Sequence, residues 1–387
     1  MGDISNLRPQ YSFNIKINDA PAMGISTEAA KAGDKGSVIV RGFIYDSKGY
    51  LFFNSLEHIA QLYLNKWLIQ QQLKASAIDN CLIQISPDND IWVNVNCPTI
   101  MEMVYKQIPK TGINKGDPIT RENIADIRKI NLPNIEFIPN YAKIYFFSIG
   151  WRRGIFVDFS PLHENFEPSD EQIETSLATC YAFLMFPEIV DIYPRIKDKL
   201  FEKGWFPFVR ILGENFKHLA NMLDNNLDIV EAEKKIVDSF DQEQLLSILD
   251  KWMLNPVFKE HDTFLIHGIN EYLEGDLISS AHILYPRIEG LLRYIYAKNS
   301  GKDPKTPDLR ANLKSELINK TGTTTLLLPL DFDDYLKDFY FRNFSVPNQQ
   351  IEISRHSIAH GVIQTEKITK TSIFQAIMIL DQINYYV

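Results

Sequence analysis

From Ser354 to Gly361 the chain reads Ser-Arg-His-Ser-Ile-Ala-His-Gly. This places Arg355, His356 and His360 within six residues of a chain that has 8 His in 387 positions. These residue types suit metal-free cleavage of a phosphodiester. Cleaving RNA through its own 2′-hydroxyl needs one proton removed from that hydroxyl, one delivered to the leaving 5′-oxygen, and positive charge beside the phosphoryl oxygens. An imidazole with an ordinary pKa of about 6.5 exists in both forms near neutrality, so a histidine can serve as base or acid. A guanidinium stays protonated, and its planar fork matches two phosphate oxygens.

Spacing adds geometry. On a regular helix His356 and His360, four apart, share a face, whereas Arg355 lies about 140° round the axis from His360. Arg355 must reach round the helix, or a second copy must complete the site. Gly361 is placed to end that helix as its left-handed C′ residue, leaving His360 at the C-terminus. Glu352 and Glu289 are candidate partners for Arg355, and Glu289 and Arg293, four apart on one helix, read as an ion pair.

An arginine followed by a polar residue, three further residues, then His-Gly resembles the R-x4-6-H motif of HEPN-fold ribonucleases. The upstream run Tyr285-Pro286-Arg287-Ile288-Glu289-Gly290-Leu291-Leu292-Arg293 resembles the helix paired with Arg-His-x3-His-Gly in some bacterial members. The resemblance covers Phe258 to Val387. It implies a C-terminal helical bundle that forms homodimers and acts as a metal-independent endoribonuclease without cofactor, in bacterial defence or a toxin system. By the same resemblance Arg355 holds the scissile phosphate, His360 is the general acid/base, His356 assists in positioning, and Glu289 and Arg293 support them. The partners implied are an RNA substrate and an inhibitor or trigger protein. Because that superfamily also has non-catalytic members, the alternative is a module that binds a nucleotide, RNA or protein partner.

Other chemistries find little support. The chain has no GxGxxG, Walker loop, HExxH, GxSxG or EF-hand loop. His261, His267 and His282 follow no metal-ligand spacing. Trp151-Arg152-Arg153 reads as an aromatic hairpin turn packed on its sheet, and Asp158 with Asp88 and Asp90 lacks the companion residues of a metal nuclease.

The elements that must position the motif come from the wider pattern. The chain is 45% hydrophobic and 23% charged, ordinary globular values, and its formal net charge of -9 argues against indiscriminate binding to polyanions. The C-terminal part runs locally the other way. From Asp276 to Lys320 eight Lys/Arg face five Asp/Glu, although Asp331, Asp333, Asp334 and Asp338 make the following segment acidic. Three scattered cysteines (Cys81, Cys97, Cys180), a polar N-terminus and the lack of a long apolar run suggest a soluble, cytoplasmic protein with no membrane partner.

The first 168 residues alternate strand and helix signals and read as an α+β domain. It includes a strand at Ser37 to Asp46, a helix at Leu56 to Leu73, and hairpins at Cys81 to Asn96 and Lys143 to Ser160. Ile108 to Pro139 reads as loop. Beyond lies a mostly α region, divided into a helical connector at 169–256 and the bundle at 257–387. Within the bundle, Leu277 to Lys298 carries an apolar stripe kinked by Pro286, and the last helix carries Ile373, Ile377 and Leu380 on one face.

Overall fold

Strands of alternating or continuous apolar residues dominate the first part of the chain, and helices the rest. The computed structural model describes residues 78–387 except 89, 107–113, 115, 150–152, 160–167, 302–303, 323–324 and 344–350. It describes the backbone alone for 11–16, 25–27, 38–40, 43–46, 142, 144, 146–149, 153–158 and 321. Two compact units result: Met1–Thr120 with Ile127–Pro187, and Arg121–Asp126 with Glu188–Val387. The sequence places boundaries at 168 and 256 instead. The helix after 168 belongs to the first unit, and no division falls at 256.

The strands are β1 (Tyr11–Lys16), β2 (Ile25–Thr27), β3 (Val38–Val40), β4 (Phe43–Asp46), β5 (Asn80–Ile85), β6 (Asp90–Val95), β7 (Ile100–Tyr105), β8 (Ile124–Asn131), β9 (Ala142–Ile149) and β10 (Arg153–Asp158). Six form an antiparallel sheet in the order β1-β6-β5-β9-β10-β4, while β2-β3 and β7-β8 pair separately. The two expected hairpins are β5–β6 and β9–β10. The first turns where Ser86 N–H donates to Asp90 O and Asp90 N–H to Ser86 Oγ. At its open end the Asn80 amide bonds both the Cys97 carbonyl (2.9 Å) and the Cys97 N–H (2.8 Å), tying the strand ends.

Two expectations are corrected. Ser37 to Asp46 is two short strands in different sheets, and the expected loop from 108 to 139 contains β8, whose Ile124, Ile127 and Ile130 are buried. The flanking Pro and Gly residues concealed an eight-residue strand in which Ile124, Ala125, Ile127 and Ile130 are the apolar positions. The helix expected at 56–73 and the turn at 151–152 lie outside the described residues. All three cysteines are free, and burial pushes the thiols up, Cys97 to about 12, which leaves them as packing groups.

The helices are α1 (Asp170–Met185), α2 (Pro187–Asp191), α3 (Tyr193–Glu202), α4 (Glu214–Asp224), α5 (Val230–Asp238), α6 (Gln242–Met253), α7 (Pro256–Lys259), α8 (Asp262–Glu274), α9 (Leu277–Ser300), α10 (Thr306–Thr321), α11 (Pro329–Tyr335), α12 (Arg355–Ala359) and α13 (Lys370–Tyr386). Local chemistry sets several starts. Ser169 with Gln172, Asp241 with Gln244 and Thr369 with Ser372 form reciprocal capping boxes at α1, α6 and α13. The expected helices at 187–201, 331–344 and 349–360 are shorter or interrupted, the second passing into a π-helical turn at Leu336–Tyr340. Among the described residues no helix is long and apolar enough to cross a membrane.

The last helix departs most from expectation. It is buried all round, not only along Ile373, Ile377 and Leu380, so its polar residues need partners inside the protein. Gln375 donates to Lys203 O, Gln382 accepts from Val209 N–H, Asp381 bonds Arg210 and Trp252, and Asn384 accepts from Asn255. These bonds join the expected connector to the expected bundle, which is why no boundary forms near 256.

Lys251 is an excess charge in this core. Its Nζ is buried without a hydrogen-bond partner and sits 3.5 Å from the centroid of the Tyr385 ring. Burial pulls its ammonium down to about 8, with Asp381 opposing and Arg210 adding to the fall. Lys251→Met should therefore raise unfolding stability at pH 7 by about 1–2 kcal/mol, the desolvation gain outweighing a lost cation–π contact. Between pH 8 and about 10.4 the unfolded chain holds a proton that the folded one has lost, so wild-type stability rises with pH there. The advantage of the variant should shrink over that window, as urea melts at pH 7 and pH 10 would reveal.

Candidate functional site

Two helices and the π-helical turn bring the motif together. Ser354 starts α12 by accepting from Ser357 N–H, while Ser357 Oγ accepts from Ser354 N–H and donates to Glu352 O. The helix ends in a Schellman motif: Gly361 N–H donates to Ile358 O, Val362 N–H to Ser357 O, and Gly361 takes φ 64. His360 is thus the C-cap residue, as the spacing predicts. The rings of His356 and His360 lie stacked, 6.4 Å between centroids and 14° apart, confirming the shared face.

Arg355 turns towards α9. Its Nε meets Glu289 Oε2, and its Nη1 lies 3.1 Å from His356 Nδ1. Glu289 also accepts from Arg293 Nε at 2.8 Å, and Arg293 Nη1 donates to Pro304 O. One nearly buried carboxylate therefore sits between two guanidiniums. Of the two partners open in the sequence, Arg355 takes Glu289, since Glu352 is held by Lys367 at 2.8 Å. Burial, with the neighbouring Arg355 guanidinium and His360 adding and Glu289 opposing, holds the His356 imidazole below its ordinary pKa.

Glu289 owes its place to a break in α9. Pro286 removes a backbone donor, and just beyond it the Tyr340 hydroxyl inserts into the helix ladder, donating to Tyr285 O and accepting from Glu289 N–H. Sequence reasoning missed Tyr340. Pro286 inside an apolar stripe signals that a helix will open, but not which side chain fills the opening.

Beside His356 lies a cleft of about 520 Å³, whose walls include Arg310, Lys337, Asp338 and Arg342. Arg310 is paired with Asp333 at 2.8 Å, whereas Lys337 and Arg342 have no carboxylate partner among the described residues. The acidic run expected at 331–338 is largely neutralised: Asp331 and Asp334 hold Lys197, and Asp333 holds Arg310 and Lys314.

The other histidine candidates have neighbours of their own. His267 pairs with Glu271, His282 bonds Ile278 O, and His261 packs edge-on to Tyr294. No group of three metal-ligating side chains occurs among the described residues. No family model matches the chain, and neither the curated proteins nor the solved structures contain a match.

Proposed function

We propose that the second unit is a metal-independent endoribonuclease built on a HEPN-like bundle, with the motif on α12 as its centre. The observation that carries this reading is the stacked imidazole pair, one member of which lines a cationic cleft beside a guanidinium. Cleavage needs a base and an acid near one phosphate, and two imidazoles on one face supply both. His356, whose imidazole burial and Arg355 hold below its ordinary pKa, takes the 2′-hydroxyl proton. His360, exposed at the helix end, delivers a proton to the leaving 5′-oxygen. Arg355 keeps its Nε against Glu289, and its Nη1 leaves His356 Nδ1 for a phosphoryl oxygen, which frees the imidazole lone pair that takes the proton. In a two-fold homodimer a second set would face the first, and the first unit would recruit substrate or restrain cutting.

The Arg355–Glu289 contact favours a second reading, since a neutralised guanidinium equally suits a non-catalytic module that binds a nucleotide, RNA or protein. One experiment decides between them. Purified protein in EDTA should cut RNA and leave 2′,3′-cyclic phosphate ends. His360→Ala should lose that activity by about 10²–10⁴-fold while keeping its circular dichroism. Equal behaviour of wild type and His360→Ala would leave the non-catalytic module.

A further inference from the structure

The cleft carries more than its place beside His356. Its walls hold two cations, Lys337 and Arg342, that no described carboxylate neutralises, although the whole chain is acidic. Arg342 is not loose. Its Nε donates to Asp338 O at 2.7 Å and its guanidinium packs 6.0 Å from the Phe339 ring, so the backbone and an aromatic face hold it rather than an opposing charge. Lys337 and Arg342 come from the π-helical turn and the residues just after it. Thr306 and Pro307, from the first turn of α10, line the same cleft.

An ordinary protein surface pairs or disperses such charges. Here they converge on a concave site together with an apolar wall, Phe341 and Pro307, and with hydrogen-bonding groups, Thr306 and Asn343. The volume lies within the range of about 300–1,000 Å³ typical of small-ligand sites, which suits one unstacked nucleotide and excludes a duplex. Cations for a phosphate, flat apolar surface for a base, and polar groups for base edges or ribose are the three components of single-strand recognition. Asp338 on the same rim disfavours a second phosphate at its side and leaves a hydrogen-bond acceptor for an amino group.

We infer that this cleft binds one phosphorylated, unstacked nucleotide, with Lys337 and Arg342 on the phosphate and the wall of Phe341 and Pro307 under the base. The nucleotide belongs to a single RNA strand that continues to the imidazole pair. This deepens the proposed function by naming a binding site next to its chemistry, and it rests on that reading only for the continuation of the strand.

The test uses the full chain and a short fluorescent 2′-O-methyl oligoribonucleotide, which binds but cannot be cut. Anisotropy titrations would be run across a salt series with wild type, Lys337→Gln/Arg342→Gln and, as a single change at an exposed position, Lys337→Glu. The double variant should weaken binding about tenfold or more, the loss expected for charged hydrogen bonds. Its slope of log affinity against log salt should be shallower by about 0.7, one neutralised phosphate on a single strand. Competition by adenosine monophosphate with the same loss in the variants would support the site with a free nucleotide as its source. Unchanged affinity and slope in both variants, or equal affinity for a duplex, would overturn it. The two readings separate cleanly. If RNA is not cut but the Lys337/Arg342 effects appear, the cleft stands without the nuclease. If RNA is cut and those effects are missing, the cleft inference alone falls.

Discussion

Asp381→Ala is expected to destabilise the protein by about 3–5 kcal/mol, the cost of breaking a buried ion pair by removing one member. The Asp381 carboxylate accepts from Arg210 Nε at 2.8 Å and from Trp252 Nε1 at 3.0 Å. Both charged side chains are almost sealed from solvent, 6% exposed for Arg210 and 2% for Asp381. Burial disfavours the Arg210 charge, but Asp381 and Tyr385 more than compensate and hold the guanidinium firmly protonated. Without the carboxylate, Arg210 and Lys251 would be two neighbouring cations with no anion between them, and the Trp252 N–H would lose its acceptor. Urea unfolding should show the loss as a lower midpoint with an unchanged slope. In Asp381→Ala/Lys251→Met part of it should return, because the two sites share a partner and their effects cannot add. A loss below about 1 kcal/mol in the single variant would mean that the pair does not organise this core.

His356→Ala should slow RNA cleavage by about 10²–10⁴-fold if the imidazole is the base. The pH dependence gives a sharper signature. A base works when neutral, and burial with Arg355 and His360 holds His356 below its ordinary value, so the acidic limb of the rate profile should lie below pH 6.5. Glu289 acts in the opposite direction, favouring the protonated ring, so Glu289→Gln should move the limb further down. The same lowered pKa means that the unfolded chain binds a proton before the folded one does, so this group reduces stability as pH falls through about 6.5. A titration of the His356 ring by NMR would follow both effects without relying on turnover. A limb above pH 6.5, or one that Glu289→Gln moves upward, would remove His356 from the role of base.

Much of the local structure was legible in the residues. The hairpin at 80–95, the start of α1 at Ser169, the long helix from Leu277 and the glycine stop at Gly361 each depend on side chains acting on backbone only a few positions away. So does the shared face of His356 and His360. Strand β8 was hidden because its apolar residues are interrupted by Asp126, Arg128 and Lys129 and lie among prolines and glycines whose turn signal is stronger. The helix at 331–344 was overextended because nothing in its composition distinguishes a π-helical turn from an α-helical one. The burial of the other faces of α13 was not legible because Gln375, Asp381, Gln382 and Asn384 find partners between 129 and 173 residues away, beyond the reach of any periodic pattern.

The sequence by itself determined the presence of an arginine and two imidazoles on one short capped helix, and the mixed-then-helical order of the chain, since periodicity and capping are short-range effects. Only the tertiary structure decided that Arg355 would meet Glu289 rather than Glu352, that the Tyr340 hydroxyl would fill the break after Pro286, and that Lys337 and Arg342 would face a cleft beside His356. The reason is that charges and hydrogen-bonding groups distant in sequence select partners only after packing has removed water and set their separations.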